Sequence, residues 1–112
     1  MTFRKSLDDL DAQQKLKRIH TPVSKTFEVA GVLKKLEPTP VLFENIRESD
    51  YRVTGNLFCS KAAFASYFGV PVNALIPLLS EAIDRRTPCP VVTEAPCQEV
   101  VELEPDLDAL PI

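Results

Sequence analysis

Residues 41–60, VLFENIRESDYRVTGNLFCS, contain two strand-like segments separated by a short polar turn. The first segment, residues 41–46, is apolar enough to form a largely buried strand. The second segment, residues 51–54, alternates polar and apolar side chains, and only residues 47–50 lie between the two. A connection this short predicts that the strands pair antiparallel. The sequence therefore predicts an antiparallel strand pair that Gly55 closes.

Two helices and a further short strand are predicted before this pair. The first helix is indicated by apolar residues spaced i, i+4 and i+7, and the second by a stripe spaced i, i+3, i+4 and i+7. These residues are Phe3, Leu7 and Leu10 for the first helix, and Val29, Val32, Leu33 and Leu36 for the second. Residues 16–19 predict a strand, and Ser24 is the predicted N-cap of the second helix. Gly31 costs that helix about 1 kcal/mol relative to alanine, so we expect it to pack closely against a neighbour.

Two more helices and a proline-rich tail are predicted after the pair. Ser60 is a candidate N-cap for the third helix, and Gly69 occupies the position of a left-handed C-terminal residue. Asn73 is a candidate N-cap for the fourth helix, which tolerates Pro77 because an early helical position needs no N–H. Residues 87–101 predict short strands or an extended edge. The expected fold is α+β, with a small mixed sheet and about four helices.

The composition is that of a globular domain with a slightly acidic surface. Hydrophobic residues make up 45% of the chain, which is enough to form a core. The net charge of −3 argues against a nucleic-acid-binding surface, because such surfaces are basic. The odd number of cysteines, without CxxC spacing, excludes a complete disulfide framework and indicates a reduced, cytoplasmic protein. The sequence predicts neither a transmembrane helix nor a secretory signal.

The residues that could take part in catalysis or bind a metal or anion do not form a recognisable motif. His20 is the single histidine, and without further clustered ligands it is more typical of a surface or hydrogen-bonded histidine than of a zinc site. Cys97 could be a nucleophile only with His20 as its base, so a buried packing cysteine is the favoured interpretation. Residues 55–60 could present backbone N–H groups to an anion, but they lack a nucleotide-loop pattern and favour a tight strand–helix connection. The acidic residues 99–108 lack EF-hand spacing and favour a solvated linker over a calcium site.

Several segments, in this order, resemble the UbiD-like (3-octaprenyl-4-hydroxybenzoate carboxy-lyase-type) decarboxylases. They are residues 16–23, the helix start at 27–30, VLFEN at 41–45, GNLF at 55–58, APCQEV at 95–100 and DLDALPI at 106–112. Ser24 and Lys25 depart from the pattern, because the family often has an acidic residue and proline there. Cys59 also departs from it, because the family often has glycine at that position.

The resemblance implies that the complete protein reversibly decarboxylates an unsaturated or aromatic carboxylic acid. The family uses prenylated FMN, with a divalent metal (manganese) and potassium at its phosphate, and the cofactor supplies the difficult chemistry. The family's cofactor-binding domain and catalytic residues lie beyond the stretch that this chain matches. We therefore assign no catalytic, cofactor-binding or metal-binding residue to this chain and expect no cofactor on it alone. The compact length resembles members that act on small acids, including anhydromevalonate phosphate.

The predicted domain organisation is an N-terminal α+β domain at residues 1–104 and the start of a linker to a cofactor-binding domain at 105–112. The expected partners are the remaining domains of the decarboxylase, a flavin prenyltransferase that supplies the cofactor, and further copies in a homo-oligomer. An exposed apolar face toward the cofactor domain also predicts self-association of the isolated chain. One alternative is a freestanding non-enzymatic small subunit or binding module that docks onto a separate catalytic chain. Another is an independent small enzyme built on Cys97.

Overall fold

The computed structural model describes residues 2–112, and a three-stranded mixed sheet lies at its centre. The strands are β1 (Lys17–Ile19), β2 (Val41–Phe43) and β3 (Val53–Gly55), in the order β1-β2-β3. β1 is parallel to β2, and β2 is antiparallel to β3. The predicted antiparallel pair is confirmed, although the strands are shorter than predicted. Residues 44–52 form the connection, in which Ile46 makes isolated bridges to Val23 and Ser49.

Four α-helices surround this sheet, as predicted for an α+β fold. They are α1 (Phe3–Ala12), α2 (Glu28–Leu36), α3 (Lys61–Phe68) and α4 (Leu75–Asp84). Three 3-10 helices also form, at Val72–Ala74, Pro96–Gln98 and Leu107–Ala109. α2 connects the parallel strands β1 and β2, which is the kind of crossover that a parallel pair requires.

Both predicted ends of α3 are confirmed. The Ser60 hydroxyl accepts a hydrogen bond from the Ala63 backbone N–H at 3.1 Å, and this satisfies a donor that the first helical turn cannot pair. Gly69 ends the helix with φ 69° and ψ 30°, a left-handed conformation that glycine adopts without a Cβ clash.

The predicted starts of α2 and α4 are wrong. α2 begins at Glu28 after Phe27, and the Ser24 hydroxyl donates to the Glu48 carboxylate instead of capping the helix. Asn73 lies inside a 3-10 turn, so α4 begins at Leu75 with Ala74 as its N-cap. At Ser24 the long-range hydrogen bond to Glu48 replaces the predicted cap, and at Asn73 the additional 3-10 turn does. Pro77 is still accommodated, because it is the third residue of α4 and its missing N–H had no partner in that helix.

The core is small and lies between β2 and α2. Its buried members are Val23, Val41, Phe43 and Ile46, against which Ile19, Val29, Val32, Leu33, Leu36 and Val53 pack. Val41 and Phe43 are completely buried, and they point to the same face because side chains alternate along a strand. Leu42 is buried on the opposite face, so the central strand is covered on both sides.

The predicted strands in residues 87–101 are wrong. No strand forms there, and apart from a 3-10 turn at Pro96–Gln98 the segment is irregular. Three prolines in this stretch cannot donate ladder hydrogen bonds. Its valines are also largely exposed, with Val91 at 97%, so no burial compensates for ordering an extended strand.

The close-packing expectation for Gly31 is also wrong, whereas a close approach occurs at Gly55. In residues 2–112, no heavy atom outside the local helix lies within 4 Å of a Cβ built on Gly31. A Cβ on Gly55 would lie 2.5 Å from Leu33 Cδ2. A side chain at residue 55, where β3 meets α2, would therefore have to displace Leu33, whereas one at residue 31 in the middle of α2 would meet no neighbour among residues 2–112.

Candidate functional site

The residues considered for catalysis do not form a site. His20 is exposed, as predicted for a surface histidine, and all three cysteines are exposed free thiols. The interpretation of Cys97 as a buried packing cysteine is therefore wrong. The His20 and Cys97 side chains make no hydrogen bond in the described part of the chain. Among residues 2–112, no group of three His, Cys, Asp or Glu side chains could hold a metal ion.

The turn between β3 and α3 is a tight connection, as favoured by the sequence. Asn56 adopts φ 59°, and its side-chain amide donates to the Leu33 carbonyl oxygen at 2.8 Å. This hydrogen bond, together with the Gly55–Leu33 approach, fixes the turn against α2. The Ser60 hydroxyl caps α3 by accepting a hydrogen bond from the Ala63 N–H. The turn thus serves packing, with the Asn56 amide and the Ser60 hydroxyl bonded within the domain.

An aromatic groove of about 520 Å³ lies between α1, residues 38–40 and the start of α3. Phe58 forms its wall, with ring centroids 4.9 Å from Phe64 and 5.2 Å from Tyr67. Asp9 and Lys15 are the charged side chains that line it. Asp9 is paired with Lys5 Nζ at 2.9 Å, so the groove offers apolar contact and little acid–base chemistry.

A set of contacts that we call the Lys25 clasp holds the last residues of the chain against the domain. The Lys25 ammonium donates to the carbonyl oxygens of Asp108, at 2.5 Å, and Leu110, at 2.9 Å. The Ser49 hydroxyl donates to the intervening Ala109 carbonyl at 2.6 Å. Three consecutive carbonyl groups are thereby satisfied by two side chains.

The clasp is supported by the Glu48 carboxylate, which lies beneath Lys25. Glu48 accepts hydrogen bonds from the Ser24 hydroxyl at 2.5 Å and from the Lys25 backbone N–H at 2.9 Å. These two bonds, the first contributing more, hold the pKa of Glu48 below its usual value. The Ser24 N–H donates to Glu28 Oε2 at 2.7 Å. Residues 24 and 25 are therefore fixed from both sides before the chain turns into α2.

Phe27, at that turn, is exposed and has an unusual backbone. Its φ of 65° and ψ of −32° lie in the left-handed half of φ/ψ space, which is a genuine outlier for a bulky residue. The Glu28 N–H donates to the Thr26 carbonyl at 2.8 Å across it, as in a γ-turn. The side chain is 86% exposed. Burial within residues 2–112 therefore does not compensate for the backbone strain.

A second polar network joins α1 to the sheet. Arg18 pairs with Asp11 at 2.7 Å and also contacts Glu44, which Arg52 approaches at 3.6 Å. The hydrogen bond from Arg18 lowers the pKa of Asp11, and the two carboxylates raise the pKa of Arg18. Every member of this network has a partner of opposite charge, so it serves structure.

Sequence reasoning missed the clasp because its parts are far apart along the chain. Lys25 and Leu110 are separated by 85 positions, and neither belongs to a recognisable motif. The departure of Ser24 and Lys25 from the family pattern was the one local signal.

No single helix in the described residues is long and apolar enough to cross a membrane, although the pair Lys61–Phe68 and Val72–Asp84, bent by 86°, passes on length and composition.

Comparison with known proteins identifies this arrangement of helices, sheet and tail. A family model described as the 3-octaprenyl-4-hydroxybenzoate carboxy-lyase (UbiD) N-terminal domain matches residues 7–83. The chain belongs to this family. The anhydromevalonate phosphate decarboxylase of Methanosarcina mazei is 38% identical over 112 residues, which are 100% of this chain and 26% of that protein. The chain is thus a UbiD-type N-terminal domain, the domain of a carboxy-lyase (decarboxylase) family.

Solved UbiD-class structures share the fold over nearly the whole chain. The enzyme HmfF from Pelotomaculum thermopropionicum, in complex with FMN, has a TM-score of 0.88 and 31% identity, covering 97% of this chain and 26% of that one. An evolved dimeric form of HmfF in complex with prFMN also has a TM-score of 0.88 and 31% identity, and it covers 97% of this chain and 27% of its own. The chain therefore spans about a quarter of the length of these relatives.

Proposed function

We propose that this UbiD-type domain is the N-terminal part of a prenylated-FMN-dependent decarboxylase that acts on an unsaturated or aromatic carboxylic acid. The observation that carries the proposal is the 38% identity to the Methanosarcina mazei decarboxylase across all 112 residues. We further propose a phosphorylated unsaturated acid of the anhydromevalonate phosphate type as the substrate. A flavin prenyltransferase would supply the cofactor, and the full-length enzyme would be a cytoplasmic homo-oligomer.

The residues of this chain do not fit a metal-bound flavin. In the described part, no three acidic, histidine or cysteine side chains lie close enough to hold a metal ion, and the aromatic groove presents mainly apolar, hydroxyl and amide groups. This supports the proposal that the flavin, its divalent metal (manganese) and potassium are bound by a part of the enzyme outside these residues. We therefore derive no catalytic step from this chain and assign it a structural role beside the flavin-binding part.

The Lys25 clasp holds residues of the proposed linker, which follows the division at about residue 104, against the domain. Residues 99–109 are exposed, whereas the carbonyls of residues 108–110 are held by Lys25 and Ser49. We propose that residues 105–112 begin the linker to the flavin-binding part and that the clasp fixes the position of residues 108–110 of this linker on the domain. A fixed linker segment keeps the two parts at high effective concentration.

A chimaeric enzyme, called the joined protein below, tests the proposal that this chain is the N-terminal part of a decarboxylase. The 112-residue chain would replace the matching N-terminal quarter of the Methanosarcina mazei decarboxylase, in cells that make prenylated FMN. We expect the joined protein to retain flavin absorbance and to release CO2 from anhydromevalonate phosphate, and the 112-residue chain alone to do neither. The Methanosarcina mazei remainder without this domain is the matched control. A chain that binds flavin by itself, or a joined protein without flavin, would contradict the proposal.

A further inference from the structure

The outward face of α2 and the turn before it combine two local features that cost stability within the domain. Phe27 is a bulky residue in a left-handed conformation and is 86% exposed. Gly31, one helical turn later on the same face, is exposed and has open space around its Cα among residues 2–112. Each feature is unfavourable by itself, because left-handed backbone strains a side chain and glycine weakens a helix.

The hydrogen bonds around this turn specify the unfavourable conformation. Ser24 is held between Glu48 and Glu28, and the Phe27 carbonyl accepts the Gly31 N–H at 2.9 Å. The result is an aromatic side chain that projects beside a helix surface without side-chain bulk at Gly31 and with only a methyl group at Ala30. Local rules that are broken without compensation inside a domain are typical of functional surfaces.

The position of residues 108–110 on the domain indicates what covers this surface. Lys25, two residues before Phe27, holds the Leu110 carbonyl at 2.9 Å. In the full-length relatives about three quarters of the protein lies outside the matched region. In the proposed full-length enzyme the rest of the polypeptide follows the residues that Lys25 holds, so a docking contact at Phe27, two positions from Lys25, needs little additional ordering of a linker.

We propose that Phe27 and the Ala30–Gly31 surface of α2 form the docking site for the flavin-binding part of the decarboxylase. Phe27 inserts into an apolar pocket of that part, and Gly31 permits close approach of its backbone. This inference rests on the proposed function, because it requires that a flavin-binding part exists. Large side chains that fill a well-packed, desolvated pocket near the centre of an interface carry most of its binding energy.

Hydroxyl-radical labelling of the joined protein, compared with the 112-residue chain alone, tests the docking site. Phe27 labelling should fall roughly tenfold on joining, as its exposed fraction of 86% is lost. Phe68, which is 46% exposed on α3, serves as the internal control and should change little. If the joined protein holds flavin and decarboxylates while Phe27 labelling is unchanged, the docking site is refuted and the proposed function stands. If the joined protein holds no flavin, the proposed function fails and the docking site fails with it.

Two variants distinguish a docking role from a folding role, because each should change the stability of the isolated chain and that of the joined enzyme in opposite directions. Phe27→Gly removes strain, and Gly31→Ala improves the helix, so each should raise the Tm of the isolated chain by about 4 °C or more. In the joined enzyme each should instead lower the temperature of half-inactivation and promote flavin loss. Ile83→Ala, on the exposed side of α4, is the control and should leave the joined enzyme unchanged. A rise in stability in both proteins would overturn the inference.

Discussion

Alanine placed at two glycines should change the stability of this domain in opposite directions. Gly31 lies in α2, and within the described residues a methyl group added there would have no neighbouring atom within 4 Å, so Gly31→Ala should gain about 1 kcal/mol of unfolding free energy. At Gly55 the same methyl group would lie 2.5 Å from Leu33 Cδ2, 2.7 Å from Cδ1 and 3.2 Å from Cγ. Leu33 packs against the core and has to move, which costs about 1–3 kcal/mol.

The two variants should thus differ by about 2–4 kcal/mol in urea unfolding of the isolated chain, followed by far-ultraviolet circular dichroism. A double-mutant cycle identifies the clash. Leu33→Ala alone should cost about 2–5 kcal/mol, but its combination with Gly55→Ala should cost less than the sum, because the removed leucine atoms are those that the new methyl group meets. Additive losses, or a Gly55→Ala variant as stable as the Gly31→Ala variant, would refute the reasoning.

Three further predictions concern the clasp, the core and pH. Lys25→Met should speed amide exchange at Leu110, measured by hydrogen exchange, with little change in Tm, because the clasp lies at the surface. Phe43→Ala should cost about 3–5 kcal/mol in urea unfolding, because a fully buried ring leaves a cavity. Glu48→Gln should be less stable than the parent at neutral pH, and acid titration should remove the difference, because the native pKa of Glu48 is lowered by Ser24 and Lys25. Its contribution is present above the ordinary value of 4.5 and is lost as pH falls through the depressed pKa.

Each of these three predictions can be contradicted by a stated result, and the first two have a matched control variant. Lys35→Met removes an exposed lysine far from the clasp in sequence and should leave exchange at Leu110 unchanged, so an equal effect of both variants would argue against the clasp. Val101→Ala removes an exposed apolar side chain, and a loss equal to that of Phe43→Ala would contradict the assigned core. A Glu48→Gln variant whose deficit persists at acid pH would show that its effect does not come from the carboxylate.

The sequence predicted elements where a local rule and the tertiary contacts favour the same structure. The α3 helix has both a hydroxyl cap at Ser60 and a terminal glycine at Gly69, and both act as predicted. The antiparallel pair was predictable because its apolar segments flank a short polar connection. The strands predicted for residues 87–101 do not form, because their prolines cannot donate ladder hydrogen bonds and their exposed valines gain no burial.

The local sequence did not determine the use of polar side chains between distant segments. Ser24 has the composition of a helix cap, but Glu48 competes for its hydroxyl across 24 positions. Gly31 and Gly55 are the same residue type, yet the packing of Leu33 of α2 against β3 leaves room for a side chain only at residue 31 unless Leu33 moves. Sites built by contacts of this kind have no spacing that a sequence pattern can reveal.

The sequence by itself determined the α+β class, the helices, the antiparallel pair and the resemblance to UbiD-type decarboxylases, because periodicity, caps and family segments are local properties. The tertiary structure alone decided that residues 108–110 return to Lys25 and Ser49 and that Phe27 is left exposed. These features depend on which surfaces remain uncovered after the core has formed. That outcome is fixed by the packing of the whole domain and not by any one segment.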